Sequence, residues 1–263
     1  MKIGLIGRGA IGAYVRDALL ERGHEIGVLL LRPEALRDHG TEKDGIPRVS
    51  SAEELPSDID HMIDCAGHTA LQVHGPGILR RGFDLTTVSI GGLADETLYR
   101  DLAEAAAAGN AKLYLASGAI GALDALLAAR VGDLQSVTYS GRKPPQGWKG
   151  SPAEEKLDLD NPGDGAKVHF EGTAREAATQ YPKNANVAAA VALAGVGFDA
   201  TRVKLIADPG IKENIHEIEA SGDFGSFSFA IRGHALPDNP RSSALAAMSV
   251  ISSVEKNTQH ICF

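Results

Sequence analysis

The sequence predicts an α/β fold in which a first domain with a parallel sheet is followed by a second α/β domain carrying an open mixed sheet. Apolar strands alternate with helical patterns up to Ala116, which is typical of a parallel sheet covered on both faces. A glycine-rich turn joins the first strand to the first helix. After Ser117, apolar and polar residues alternate over longer segments, which indicates an open sheet with one buried face.

The amino-terminal part alternates strands with helices. Strands are predicted over residues 2–6, 25–31, 61–65, 83–90 and 111–116. Helices are predicted over residues 13–21, 51–55, 69–81 and 95–108. Because a crossover helix between successive strands makes those strands parallel, we expect residues 1–118 to form a single domain with a parallel sheet.

The second part is built mainly of strands. They are predicted over residues 135–142, 167–172, 201–207, 214–221 and 226–232, with helices over 122–130 and 184–194. The intervening segment 144–165 is rich in Pro, Gly and Asp, so we interpret it as a mobile loop. We expect residues 119–239 to form a catalytic and dimerisation domain. The last segment, 240–263, contains a helix that we expect to pack back on the first domain.

Composition narrows the class of partner and the compartment. The chain has 34 acidic against 26 basic residues, so nucleic acid or an anionic membrane meets repulsion and a small metabolite is favoured. The two cysteines, Cys65 and Cys262, form no CxxC or Cys/His cluster, which predicts a reducing, cytoplasmic environment and no metal site. The first apolar stretch is too short for a signal peptide, and no later stretch reaches membrane-spanning length.

The turn after the first strand has the spacing Gly7-x-Gly9-x-x-Gly12. The first glycine permits a tight turn, the second lets backbone approach a pyrophosphate, and the third lets the helix pack against the strand. Ala10 and Ile11 then offer N–H groups at the positive end of the helix. A Rossmann-type domain that binds NAD or NADP is therefore predicted. The alternative is a glycine turn that packs and binds nothing.

The second strand ends in Arg32, where this fingerprint usually has an acidic residue for the ribose 2′-hydroxyl. A cation at this position favours the 2′-phosphate of NADP, although an arginine can also stack on adenine in an NAD enzyme or be a solvated charge. We expect use of both cofactors. Cys65 and Ala66, which end the third long strand, are also assigned to the cofactor-binding edge.

Hydride transfer requires a group that exchanges protons near neutral pH, and histidine suits this best. Of nine histidines, His68 and His234 are weak candidates. A solvated or packed residue is the ordinary interpretation of six others, namely His24, His39, His61, His74, His169 and His260. His216 differs because it shares its predicted strand face with Ile218 and Ala220. It is a catalytic candidate, with a satisfied core histidine as the alternative.

Several segments, in order along the chain, resemble the L-aspartate dehydrogenase family. With the glycine turn they cover nearly the whole sequence. They are ASGAIGALDAL (116–126), RKPP (142–145), QYPKNANVAAA (180–190), AGVG (194–197), ADP (207–209), NIHEI (214–218) and LPDNPRSS (236–243).

The resemblance implies a homodimeric enzyme that oxidises L-aspartate with NAD or NADP to iminoaspartate. This product hydrolyses to oxaloacetate and ammonia or enters pyridine nucleotide biosynthesis. It also implies that His216 is the catalytic histidine, activating water or delivering a proton, and that Ala119 and Asn186 contact the cofactor. On the pattern alone, Asn186 is equally a helix N-cap.

A dicarboxylate substrate requires cations, and Arg142, Lys143, Lys183 and Arg241 lie in the matching segments without one of them standing out. The expected site is a cleft between the two domains, and the expected dimer forms through the open sheet. The competing hypotheses are another two-domain dehydrogenase or reductase, similar to homoserine dehydrogenase or dihydrodipicolinate reductase, and a non-catalytic NAD(P)-sensing protein.

Overall fold

The computed structural model of the chain describes residues 1–39, 45–182, 184–236, 239–256 and 258–261. Two compact units are present. The first contains Met1–Ala116 and the described residues from Ala246 onward, and the second contains Ser117–Leu245. Within the described ranges, no helix has both the length and the apolar character needed to cross a membrane.

The first unit is built on a six-stranded parallel sheet in the order β3-β2-β1-β4-β5-β6. Its strands are β1 (Lys2–Ile6), β2 (Glu25–Leu30), β3 (Arg48–Val49), β4 (His61–Asp64), β5 (Leu85–Thr87) and β6 (Leu113–Leu115). Its helices include α1 (Ala10–Glu21), α2 (Pro33–His39), α3 (His68–Arg80) and α4 (Glu96–Gly109). This is the strand order of the dinucleotide-binding Rossmann fold, in which the chain changes direction between β1 and β4. The predicted parallel Rossmann-type sheet is confirmed.

The central strands of this sheet are apolar along their length because helices cover both faces. Ile3 and Leu5 of β1 and Ile63 of β4 are at most 1% exposed. The last helix, α8 (Ala244–Lys256), is also tied to this unit, since Glu255 forms an ion pair with Arg22 at the end of α1.

The first unit differs from the sequence expectation in the length of one strand and in two short elements. The strand predicted over 83–90 is only three residues long, because a 3-10 helix (Ile90–Ala94) follows it. The short elements α2 and β3 carry too few residues to show a periodic pattern, and the sequence did not predict them.

The second unit contains a five-stranded mixed sheet in the order β11-β10-β7-β9-β8. Its strands are β7 (Leu134–Lys143), β8 (Lys167–Thr173), β9 (Arg202–Ala207), β10 (Asn214–Gly222) and β11 (Gly225–Gly233). Only β7 and β9 pair in parallel. Helices α5 (Leu123–Ala129), α6 (Ala174–Gln180) and α7 (Asn186–Ala194) accompany it, and β12 (Ala235–Leu236) pairs with β13 (Asn239–Ser243).

One face of this mixed sheet is buried, as the alternation in the sequence predicts. In β10, His216, Ile218 and Ala220 are at most 5% exposed, whereas Glu219 between them is exposed. Helix α7 is apolar on nearly all sides and contacts β7, so it covers part of the buried face.

The segment 144–165 is more ordered than the predicted mobile loop. It contains two 3-10 helices, Pro145–Trp148 and Pro152–Glu155. Trp148 is 1% exposed, and its indole Nε1–H donates to the carbonyl oxygen of Ile206 in β9 at 3.0 Å. The mostly polar composition of the segment predicted a loop because it contains only one aromatic residue, Trp148, that packs in the core.

Candidate active site

The glycine turn of the first unit has a separate steric requirement at each of its outer positions. Gly7 has a φ of +87°, and a Cβ there would lie 2.7 Å from the Cβ of Ala66. A Cβ at Gly12 would lie 2.8 Å from the carbonyl oxygen of Gly7. A Cβ at Gly9, by contrast, would meet nothing within 4 Å. The turn is therefore tight on the protein side and open beside Gly9.

The amino terminus of α1 begins at this open side. Gly9 is its N-cap and supplies no side-chain cap, and the first turn has no acidic residue. Ala10 and Ile11 are half-buried in that turn. Backbone N–H groups at a helix start together with the helix dipole bind anions, and the open space beside Gly9 lets a phosphate approach. These residues fit the pyrophosphate of a dinucleotide.

Three further predicted residues lie at the same edge of the sheet, where β1, β2 and β4 end side by side. Arg32 is exposed just after β2, and Cys65 and Ala66 directly follow β4. Burial, and then the charge of Asp64, raise the pKa of the Cys65 thiol. Cys65 therefore lines this edge as a thiol whose pKa lies above its usual range.

Asp64, the last residue of β4, is a functional candidate that the sequence analysis missed. Its carboxyl group is fully buried and accepts hydrogen bonds from the Thr87 hydroxyl at 2.7 Å, the Ser89 hydroxyl at 2.6 Å and the Ala66 N–H at 2.9 Å. Burial raises the pKa of this carboxyl. Asp64 thus ties together the turns that follow β4 and β5 and fixes Ala66. The only signal in the sequence was a charged residue at the end of an apolar strand.

His216 of β10 is buried in the second unit and paired with a tyrosine. Its Nδ1 lies 2.8 Å from the hydroxyl oxygen of Tyr139, and the two ring planes are nearly parallel, with their centroids 6.0 Å apart. Burial, and then the positive charge of Lys143, lower the pKa of the His216 imidazole to about 3. No other described residue forms a hydrogen bond with the His216 ring. At neutral pH the ring is therefore uncharged, with Nδ1 occupied and Nε2 free of described partners.

Strand β7, next to β10, leaves space for the hydrogen bond between Tyr139 and His216. Gly141 of β7 lies directly opposite His216, and a Cβ at Gly141 would come within 2.7 Å of the Tyr139 hydroxyl oxygen. The missing side chain therefore provides the space that the hydroxyl occupies. Tyr139 is 1% exposed, and burial raises the pKa of its hydroxyl, so it stays protonated.

The candidate substrate cations differ in their surroundings. Arg142 donates to the carboxylate of Asp208 at 2.9 Å, and this contact lowers the pKa of Asp208. Lys143 is 8% exposed, and its ammonium donates to the side-chain oxygen of Asn184 at 2.9 Å. Burial lowers the pKa of Lys143 to about 8. Lys183 and the side chain of Arg241 lie outside the described residues.

The remaining predicted cofactor contacts also belong to the second unit. Ala119 is 6% exposed in the turn before α5. Asn186 is the first residue of α7 and half-buried, whereas the N-cap of that helix is Ala185 with no side-chain cap bond. The capping alternative for Asn186 is therefore wrong. Asn184, two residues earlier, binds Lys143 and was not singled out from the sequence.

Comparison with known proteins gives a consistent result along the whole chain. Residues 124–257 match the family described as aspartate dehydrogenase, C-terminal, and residues 7–116 match the homoserine dehydrogenase NAD binding domain. An L-aspartate dehydrogenase of Ruegeria pomeroyi is 53% identical over 256 residues, covering 97% of this chain and 92% of that protein. That of Ralstonia nicotianae is 45% identical over 260 residues, covering 95% of each. The crystal structure of aspartate dehydrogenase from Thermotoga maritima superposes with a TM-score of 0.73 at 27% identity, covering 100% of this chain and 99% of that one.

Proposed function

The chain belongs to the L-aspartate dehydrogenase family, and from this premise we propose that it oxidises L-aspartate to iminoaspartate with NAD or NADP. Hydrolysis of the imine gives oxaloacetate and ammonia, and amination is the reverse reaction. The observation that carries the proposal is the buried, uncharged His216, held by Tyr139 beside an ammonium group, in the part of the chain that matches the family.

In this proposal the first unit holds the dinucleotide. The open space beside Gly9 and the uncapped start of α1 support binding of the pyrophosphate. The residues assigned to the cofactor are Gly7, Gly9, Ala10, Ile11, Gly12, Arg32, Cys65 and Ala66, with Ala119 and Asn186 of the second unit. Bound by these residues, the dinucleotide would supply the hydride acceptor for oxidation and the hydride donor for amination.

His216 is the general base in the oxidative direction and the general acid in the aminating direction. In oxidation, Nε2 takes a proton from the water that attacks the imine carbon, and in amination it delivers one. With Nδ1 bonded to Tyr139, the ring has a fixed orientation and one free nitrogen. A carboxylate beside the ring raises the pKa of the imidazole, so binding of an anionic substrate makes His216 a stronger base.

The proposal includes a homodimer in the cytoplasm, joined through the open face of the mixed sheet. Serine, threonine and charged residues line this face, including Thr138, Ser140 and Glu219, and they leave it partly or fully exposed in the single chain. Cytoplasmic placement is supported by the low cysteine content. Light scattering on the purified protein, with a charge reversal at Glu219, tests the dimer.

The reaction is tested by following the absorbance of reduced nicotinamide with oxaloacetate plus ammonia, and then with a panel of other oxo acids and aspartate semialdehyde. We expect His216→Ala to lower kcat by about 100-fold or more while leaving the cofactor dissociation constant within about twofold. The exposed His260→Ala is the matched control. Preferential turnover of the semialdehyde, or full activity of His216→Ala, contradicts the proposal.

A further inference from the structure

Lys143 is a buried ammonium group without a carboxylate partner among the described residues. It is the last residue of β7 and is 8% exposed. Its described neighbours are the side-chain oxygen of Asn184 at 2.9 Å and the Trp148 ring, whose centroid lies 5.0 Å from Nζ. Both stabilise a cation, but neither neutralises it. Since buried charges in proteins are nearly always paired, the site is electrostatically incomplete.

Arg142 and Lys143 differ in whether a carboxylate of the protein already pairs with them. Arg142 immediately precedes Lys143 in the chain, yet its guanidinium already pairs with Asp208, whose carboxylate also accepts a hydrogen bond from the Gly210 N–H. Lys143 uses one hydrogen bond to a neutral amide. An ammonium group has three donors, so it has capacity for an incoming anion.

The position of Lys143 in the sheet places its ammonium group close to His216, the proposed base. His216 pairs across the sheet with Gly141, and Lys143 is two residues further along β7, hence on the same buried face. The charge of Lys143 also contributes to the low pKa of the His216 imidazole. Asn184, the partner of Lys143, lies two residues before Asn186 at the start of α7.

We propose that Lys143 binds a carboxylate of the dicarboxylate substrate and thereby holds the substrate beside His216. The proposal rests on the function proposed above and goes beyond it by assigning the anion-binding residue. The ion pair would neutralise a charge that the described protein leaves uncompensated. It would also bring a negative charge to the imidazole, which offsets the effect of Lys143 on the basicity of His216.

The first experiment compares Lys143→Met, which removes the charge, with Lys143→Arg, which keeps it, and with the exposed Lys212→Met as control. We expect Lys143→Met to raise the KM for oxaloacetate about 10- to 100-fold and to leave the KM for the nicotinamide cofactor within about twofold. Lys143→Arg should lie between Lys143→Met and the wild type, and Lys212→Met should match the wild type. Unchanged substrate KM in a folded Lys143→Met protein overturns the proposal.

A second measurement does not depend on turnover. Calorimetric titration of the protein–cofactor complex with malonate measures carboxylate binding directly. Burial gives Lys143 a pKa of about 8, so the cation is present below that pH and lost above it. The other titratable or charged groups near it include His216 with its partner Tyr139, His169 with Lys156 beside it, and the Arg142–Asp208 ion pair. Neither histidine, with pKa values of about 3 and 4, changes charge in this range.

We therefore expect malonate affinity to fall several-fold between pH 7 and pH 9.5 in the wild type, and to be weak and flat in Lys143→Met. An affinity independent of pH in the wild type overturns the assignment. The substrate panel distinguishes a failure of the proposed reaction from a failure of the anion site. If malonate binding depends on Lys143 but the protein does not turn over aspartate, the reaction is rejected and the anion site is retained.

Discussion

The hydrogen bond between His216 and Tyr139 is a contact between two buried polar side chains on adjacent strands. Its partners are 77 residues apart in the chain and 2.8 Å apart in space. Gly141 makes the contact possible because a side chain there would occupy the position of the hydroxyl. The bond fixes the rotation of the imidazole and directs Nε2 away from Tyr139.

Replacing Tyr139 by Phe tests this orientation while keeping the aromatic ring. We expect kcat to fall about tenfold and the KM of the cofactor to stay constant, because the imidazole loses its anchor but not its packing. The pH profile of kcat should shift as well, since Nδ1 is left without its partner. Tyr114→Phe, which removes a hydroxyl from the first unit, is the control. A kcat and pH profile equal to those of the wild type would exclude a positioning role for Tyr139.

Arg32 tests the choice of cofactor. It is exposed at the end of β2, the strand next to β1 in the sheet. We expect Arg32→Ala to raise the KM for NADP about tenfold and to change the KM for NAD less than threefold, because only NADP has a 2′-phosphate to pair with the guanidinium. Arg100→Ala, on the exposed side of α4, serves as the reference. An unaltered KM for NADP removes Arg32 from the site.

Among the secondary-structure elements, α6 shows how a short helix is fixed by its first turn. The hydroxyl of Thr173 accepts from the Glu176 N–H at 3.2 Å, and the Glu176 carboxylate accepts from the Thr173 N–H at 2.7 Å. This reciprocal capping box satisfies two N–H groups that a helix start leaves free. The sequence contains the Thr-x-x-Glu signal, but the helix was not predicted because its seven residues show no clear apolar period.

The Thr173→Ala variant measures what the cap contributes. We expect the free energy of unfolding of the second unit to fall by about 1 kcal/mol, because one N–H group of α6 loses its acceptor. Thr173→Ser keeps the hydroxyl and should recover most of this loss. Urea unfolding followed by circular dichroism gives both values. Equal urea midpoints for the wild type and Thr173→Ala would show that the capping box does not limit stability.

Across the protein, three buried histidines couple stability to pH. His61 bonds to Thr86 in the first sheet, His169 bonds to Tyr181, and His216 bonds to Tyr139. Burial is the largest cause that lowers their pKa values, to about 4 for His61 and His169 and about 3 for His216, from 6.5. Each histidine is therefore uncharged in the folded protein and readily protonated in the unfolded chain.

The sign of the pH effect follows from this difference. Below pH 6.5 the unfolded chain binds more protons than the folded one, so acid favours unfolding. The stabilisation is fully present above pH 6.5 and is lost as the pH falls towards 4, at up to about 1.4 kcal/mol per pH unit for each histidine. Asp64, whose pKa burial raises, acts in the opposite direction.

The test compares urea midpoints at pH 7 and pH 5. We expect a marked drop in the wild type and a smaller drop in His61→Gln, because that variant lacks one titrating group. His260→Gln, at an exposed position, should follow the wild type. The prediction fails if His61→Gln and the wild type lose the same stability between the two pH values.

The comparisons confirm the resemblance to the L-aspartate dehydrogenase family, which rests on matching segments along the chain. Local patterns of the sequence predicted the Rossmann-type sheet, the glycine turn and the mixed sheet with one buried face. They could do so because backbone sterics and the periodicity of burial act between residues that are close in the chain. The buried partners were not predictable in this way. The Tyr139–His216 bond and the position of Lys143 depend on strand register, Asp64 reaches Thr87 and Ser89 across neighbouring strands, and Trp148 reaches β9. These contacts join side chains that are distant in sequence, so only the packed sheets fix which polar groups meet, how strongly water is excluded, and where their pKa values lie.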